Sequence, residues 1–234
     1  MLVALSENDD SDLLPELPRI SLRSGAERVL ALRPDIVITR SFAVRINPNM
    51  YDVLERSGVR IITLDPPEWD DFPHYLTELA QTLGLSPDTA LRKLDGIISG
   101  IKSRVPAKTS PRVFLEATGR EIHTCSPESW AAKLIALAGG INIASDAKPL
   151  REGSAIASFG AERVLENAQN IDVYIIQTGA MNSSTLSDFH AREWSRALVK
   201  VKVCEIPERY MSRPSLLGLE RGGELLLKAL WEDK

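Results

Sequence analysis

Gly25-Ala26-Glu27-Arg28-Val29-Leu30 occurs a second time, residue for residue, as Gly160-Ala161-Glu162-Arg163-Val164-Leu165, and each copy leads to an acidic residue and a β-branched run. The first copy continues to Asp35-Ile36-Val37-Ile38-Thr39 and the second to Asp172-Val173-Tyr174-Ile175-Ile176. Within each copy Ala, Val and Leu fall at i, i+3 and i+4, the stripe of a short amphipathic helix, with the glutamate on the opposite side. The runs that follow lack polar alternation, which is the pattern of strands covered by helices on both faces of a parallel sheet. The repeat therefore predicts equivalent helix–strand elements in two similar α/β lobes.

Working outward, Tyr51 to Ser57 has helical spacing and stops at Gly58, and Val59 to Leu64 reads as a strand ending at Asp65-Pro66-Pro67. The acidic stretch Glu7 to Asp12 reads as a loop, and Leu13 to Leu22 as extended chain because of Pro15 and Pro18. Phe72 to Leu83 is helical and ends at Gly84. Ser86-Pro87 then supplies an N-cap and a first-turn proline for a longer helix to about Val105. Pro106 to Pro111 ends that rod, and the strand Arg112 to Glu116 opens the second half. Further on come the helix Ser129 to Ala138 with its stop at Gly139-Gly140, the second repeat unit, the strand Lys200 to Ile206 and a helix from Ser215 to Trp231. The expected division is an N-terminal lobe at 1–85, a joining helix at 86–105 and a C-terminal lobe at 106–234.

Composition narrows the classes. The 234 residues are 44% hydrophobic, enough for one large or two smaller cores. A net charge of −4 offers no basic field for a phosphate backbone, so nucleic acid is not an expected partner. The two cysteines, Cys125 and Cys204, are too few for a disulfide framework and read as free thiols, and no metal motif includes them. The opening residues lack the basic start and long apolar stretch of a signal peptide.

Three segments carry a family resemblance: Glu27 to Ile38, Leu54 to Ile61, and Leu134-Ile135-Ala136-Leu137-Ala138-Gly139-Gly140-Ile141-Asn142-Ile143-Ala144. Their order and spacing, from about Pro18 to the C-terminal helix, resemble the type III substrate-binding proteins of ABC importers, which carry cobalamin, ferric siderophores and haem. The resemblance implies two Rossmann-like lobes with central parallel sheets, joined by one long α-helix with the ligand between them, and an extracytoplasmic, monomeric protein without catalytic residues or a resident cofactor. It also implies that Glu27 and Glu162, one per lobe, dock on an ABC permease. Ser24-Gly25-Ala26-Glu27 equally fits a capping box, in which Glu27 bonds back to Ser24; with Phe159 three residues before Glu162, capping explains the second copy poorly. Members begin with a further strand and helix, so the N-terminal lobe reads as truncated, with a non-transporting homologue used in sensing as one consequence.

Ligand contacts are expected in loops at the carboxyl ends of strands, where α/β lobes bind. These are Arg40 and Phe42 after the first repeat strand, Trp69 after Leu64, His123 in the loop after Glu116, and Arg209 and Tyr210 after Ile206. Arg40 and Tyr210 are the preferred contacts, because arginine pairs with anionic chelate edges and tyrosine stacks on them or ligates iron. Trp130 reads as core. The expected cargo is a metal chelate, a ferric siderophore ahead of haem or cobalamin. The rival class is a Rossmann-like two-lobe enzyme, against which stands the lack of G-x-G-x-x-G, G-x-x-x-x-G-K-[ST] and G-x-S-x-G.

Overall fold

The structure is a computed structural model and describes residues 1–9, 13–21, 23–232; Asp10 to Asp12 of the expected acidic loop, Leu22 and the last two residues lie outside the described residues. The chain forms two compact units, one of residues 1–66 and 78–85, the other of residues 67–77 and 86–234. The expected break after Leu85 is one of three points at which the chain passes from one unit to the other.

The first unit contains β1 (Leu5–Ser6) and β2 (Arg19–Ile20), paired in parallel, then α1 (Ala26–Leu30), β3 (Ile36–Thr39), α2 (Ser41–Ile46), α3 (Pro48–Arg56) and β4 (Arg60–Thr63). β3 and β4 pair in parallel, Ile36 opposite Arg60 through Thr39 opposite Thr63. Its core gathers Val29, Ala43, Met50, Tyr51, Leu54 and Val59, with Val37 and Ile61 packed against it. Val37 packs against this core, whereas on the other face of β3 Ile38 is 40% exposed and Ile36 half-buried. The expectation of two covered faces is therefore met only incompletely at this strand, since one apolar side chain of the run stays exposed. The segment expected to be extended from Leu13 contains a turn at Pro15–Glu16, and only Arg19–Ile20 is strand.

α4 (Phe72–Thr82) contributes its first half to the second unit and its second half to the first. The second unit continues with α5 (Asp88–Ser103), β5 (Arg112–Glu116), β6 (Thr124–Cys125), α6 (Trp130–Leu137), β7 (Ile141–Asn142), β8 (Lys148–Pro149) and β9 (Ile156–Ser158). There follow α7 (Ala161–Glu166), β10 (Val173–Thr178), α8 (Leu186–Ala191), β11 (Lys202–Pro207), α9 (Glu208–Met211) and α10 (Leu216–Trp231). The main sheet runs β11-β10-β5-β7, all parallel, while β6, β9 and β8 form a small antiparallel sheet.

Here both faces are buried. Val113, Leu115, Val173 and Ile175 point into one core with α5, α6 and α10, whereas Phe114, Tyr174 and Ile176 point into the other. This is the period-two alternation of a strand expressed between two apolar layers, so the sequence shows one unbroken apolar run. The helix expected from Ser129 is capped by the Ser129 hydroxyl, which accepts from the Ala132 amide at 3.3 Å, and it stops at Gly139 with φ +83°. Trp130 is core, as its apolar neighbours indicated.

The identical hexapeptides meet different backbones. Gly25 sits at φ −72°, open to any residue, whereas Gly160 sits at φ +91° and ψ 155°, a region that only glycine enters without strain. Gly160→Ala is accordingly expected to cost about 1–3 kcal/mol. Gly25→Ala, where an added methyl meets nothing within 4 Å, is expected to cost less, only the preference of an N-cap for glycine over alanine. Thermal denaturation of the two variants checks the asymmetry.

Candidate functional site

Each unit presents its own loop cluster at the carboxyl ends of its parallel strands. In the first unit the cluster follows β3. Ser41 opens α2, and both its amide and its hydroxyl donate to the Asp65 carboxylate beyond β4, which ties the two strand ends together. Those two hydrogen bonds, aided by the charges of Arg45 and Arg40, hold the Asp65 carboxyl below the usual carboxylate range. Arg40 and Phe42 flank Ser41; both are exposed, Phe42 to 57%. The sequence placed these two correctly at a strand end, and the structure adds Ser41 and Asp65 as the groups that fix their turn.

In the second unit the loops after β5 and β10 and the segment after α8 are underpinned by one buried charge. Glu116, the last residue of β5, is fully buried. Its carboxylate accepts from Arg192 Nη1 at 2.5 Å and Nη2 at 3.0 Å, from the Tyr174 hydroxyl at 2.5 Å and from Asn182 Nδ2 at 3.2 Å. Asn182 Oδ1 in turn accepts from the Gly119 amide at 3.1 Å and the Ser184 amide at 3.0 Å. A single carboxylate thus fixes residues from the loop after β5, the loop after β10 and the segment after α8. Burial alone would raise the Glu116 carboxyl, but the hydrogen bonds from Arg192 and Tyr174 and the Arg192 charge outweigh it, and the net shift is downward. Tyr174 is pushed up, by burial first and then by the neighbouring carboxylate, so it stays a neutral donor.

His123 lies within this scaffold. Its Nδ1 is 3.0 Å from the Thr118 hydroxyl and its Nε2 3.1 Å from Glu121 Oε2, so both ring nitrogens are engaged inside their own turn. Arg209 and Tyr210 fall on α9, beyond β11, with the Arg209 guanidinium 4.9 Å from the Tyr210 ring centroid. Glu208 beside them pairs with Arg213 at 3.5 Å and accepts from the Met181 amide at 3.3 Å, joining α9 to the loop after β10. His123, Arg209 and Tyr210 therefore belong to one loop cluster of the second unit. Trp69 does not join it: its ring packs on Trp130, 4.6 Å between centroids, in the helical layer of the same unit.

Glu27 and Glu162 occupy matching places, each the second residue of its short helix, exposed, and without a side-chain hydrogen bond or ion pair to another described residue. The capping box expected as an alternative for Glu27 does not form, because Gly25 and not Ser24 is the N-cap, and no side chain caps the helix. The two copies are therefore equivalent in this respect.

Sequence reasoning missed Glu116, Tyr174, Asn182 and Arg192. The one visible signal was a glutamate ending an otherwise apolar buried strand. Among the described residues no group of three or more His, Cys, Asp or Glu is arranged to hold a metal ion, and no helix is long and apolar enough to cross a membrane. Cys125 and Cys204 are free thiols, each raised to about 11, mainly by burial.

The sequence matches the periplasmic binding protein family over residues 15–208, and the chain belongs to that family. A search of curated proteins returns no match. Among solved structures it is similar to a possible iron-binding (periplasmic solute-binding) protein from Staphylococcus epidermidis, at TM-score 0.74 and 16% identity over 95% of this chain and 88% of that one. It is also similar to the periplasmic heme-binding protein HutB of Vibrio cholerae, TM-score 0.70 and 19% identity over 96% and 90% of the two chains. A third likeness is to the vitamin B12 binding protein BtuF of Vibrio cholerae, TM-score 0.64 and 18% identity over 97% and 87%. At these identities the likeness is one of fold: α/β units with parallel sheets, as the repeat implied.

Proposed function

We propose that the chain is the substrate-binding component of an ABC importer, an extracytoplasmic protein that captures a metal chelate and hands it to a membrane permease. The observation that carries this reading is family membership over residues 15–208. The fold neighbours described as iron-, heme- and vitamin B12-binding agree on the chemical class of cargo. A ferric siderophore is the preferred cargo, with haem or cobalamin the alternatives. In its support, the His123 nitrogens are already engaged by Thr118 and Glu121, which disfavours an imidazole-ligated haem, while Arg40 is exposed beside Phe42 for an anionic chelate. Arg209 and Tyr210 are assigned the same role in the second unit. The chain acts by stoichiometric binding, without turnover.

The four tryptophans all lie in the second unit, so their fluorescence reports ligand capture there. Titration is expected to give saturable quenching with one of ferric siderophore, haem or cobalamin, and no hydrolysis or other turnover of the bound molecule. Failure of all three to bind, or turnover of a nucleotide, overturns the reading.

Glu27 and Glu162 are assigned to the permease contact, one carboxylate per unit. Both are exposed and have no side-chain partner among the described residues, so both suit arginines of another protein. The double substitution Glu27→Ala with Glu162→Ala is expected to abolish uptake in cells or proteoliposomes while ligand affinity stays unchanged. Wild-type uptake in the double variant contradicts the assignment.

A further inference from the structure

The loop after β5 closes on itself within a few residues. The Ala117 amide donates to the His123 carbonyl at 2.9 Å, and the His123 amide donates to the Thr118 carbonyl at 3.2 Å, so that Gly119-Arg120-Glu121-Ile122 forms a short strap. Each end of the strap is pinned. The Gly119 amide donates to Asn182 Oδ1 at 3.1 Å, and a methyl added at Gly119 would collide with the Ser184 hydroxyl. The Ile122 carbonyl accepts from the Gly160 amide at 3.1 Å, and the Ile122 side chain, 5% exposed, belongs to the core of Phe114, Phe159 and Tyr174.

Ile122 holds φ +51°, in the left-handed region. A β-branched residue enters that region only against a steric cost, and it persists there where the surroundings over-determine it. The core packing of Ile122 and the anchoring bonds at both ends are those surroundings. The strap is therefore fixed before anything binds, and a ligand that contacts it has little backbone left to order.

What the strap presents is Arg120. Its side chain is exposed and has no hydrogen bond or ion pair to another described residue. The acids around it are already engaged: Glu121 by His123 Nε2 at 3.1 Å, Glu116 by Arg192 and Tyr174, and Glu208 by Arg213 and the Met181 amide. A second turn, closed by reciprocal backbone bonds of 2.9 and 3.1 Å between Gly179 and Asn182, leaves Met181 56% exposed. Asn182 joins the two turns through Gly119, so a cation and an apolar side chain stand at adjacent loop tips. An unpartnered guanidinium calls for a carboxylate, catecholate or phosphate edge, which it grips through parallel N–H bonds, and the thioether side chain adapts to an apolar body. We propose that Arg120 is a specificity-determining residue for cargo that carries an anionic edge on an apolar body, with Met181 supporting that body. The proposal rests on the substrate-binding reading above and narrows its cargo to charged chelates over neutral ones.

The test uses two hexadentate ferric chelates, a trianionic tris-catecholate and a neutral tris-hydroxamate, titrated into the full chain by tryptophan fluorescence. The wild type is expected to bind the tris-catecholate more tightly. Arg120→Gln is expected to weaken that binding by about tenfold to a hundredfold, the worth of a charge-assisted hydrogen-bonded pair, and to leave any binding of the tris-hydroxamate unchanged. Arg120→Lys, which keeps the charge but not the fork, is expected to recover part of the loss, and Met181→Ala to weaken both chelates alike. Tighter wild-type binding of the neutral chelate, or a loss on Arg120→Gln that is absent or equal for the two, would overturn the inference and leave the substrate-binding reading standing. Binding of neither chelate by the wild type would overturn the inference together with the siderophore reading beneath it.

Discussion

Arg192→Met is expected to lower the stability of the second unit by about 3–5 kcal/mol at pH 7, the cost of stranding one member of a buried ion pair. Methionine keeps much of the arginine's apolar bulk, so the loss isolates the charge. Glu116 is left fully buried with only the Tyr174 hydroxyl and the Asn182 amide to hold it. The pH dependence then changes sign. In the wild type the Glu116 carboxyl sits below its ordinary range, because Arg192 and Tyr174 overcome the effect of burial. Its stabilising contribution is complete above the unfolded value, near about 4.3, and is lost as pH falls through the lower folded value. Without Arg192, burial prevails and the carboxyl titrates above its unfolded value, so the variant regains stability as pH falls from 7 toward 5. Urea denaturation at both pH values, read by tryptophan fluorescence that reports only the second unit, checks this. An equal deficit at both pH values would show that the loss comes from packing and not from charge.

Glu116→Gln makes the informative contrast. The Arg192 side chain keeps 16% of its surface exposed where Glu116 has none, so water can take over part of the lost partner's role. The glutamine variant is therefore expected to lose less than Arg192→Met and to show no recovery in acid. The consequence for the loops follows from Asn182, which bonds Glu116 on one side and the Gly119 and Ser184 amides on the other.

This network shows where the sequence runs out. Arg192 meets Glu116 from 76 positions away, and no local period or spacing encodes such a pairing. The hexapeptide repeat was legible because each copy is a local object, a turn of helix whose valine is buried, Val29 at 7% and Val164 at 0%. Even there the two copies differ: Leu30 packs against its core, whereas the equivalent Leu165 is 40% exposed. β6, β8 and β9 have two or three residues each, below the length at which alternation can be seen. Of the site residues, those at strand ends follow from the general rule for α/β units, whereas Trp69 packs on Trp130. Which loops share a cluster, and what braces them, depended on tertiary pairing.

Gly222→Ala is expected to destabilise the protein although alanine is the better helix former. On propensity alone the change should gain about 1 kcal/mol in the interior of α10. An added methyl at Gly222 would lie 2.1 Å from the Tyr210 carbonyl oxygen and 2.8 Å from Leu134 Cδ2. A side chain can swing aside, but a backbone oxygen moves only with its chain, so α9 must shift from α10. Overpacking of that kind costs about 1–3 kcal/mol or more and outweighs the propensity gain. Close approach of the Tyr210 carbonyl is the physical reason for a glycine at 222, inside an otherwise regular helix. Gly96 and Gly100 on α5 are the controls, since a methyl at either meets nothing within 4 Å. Alanine there is expected to stabilise by up to about 1 kcal/mol. The same urea assay therefore has to return opposite signs for one substitution at different places. Because the displaced element carries Arg209 and Tyr210, Gly222→Ala is also expected to weaken ligand capture, whereas the α5 variants leave it unchanged. A stabilised Gly222→Ala protein would mean that α9 yields freely, and so could not hold Tyr210 in a fixed position for a ligand.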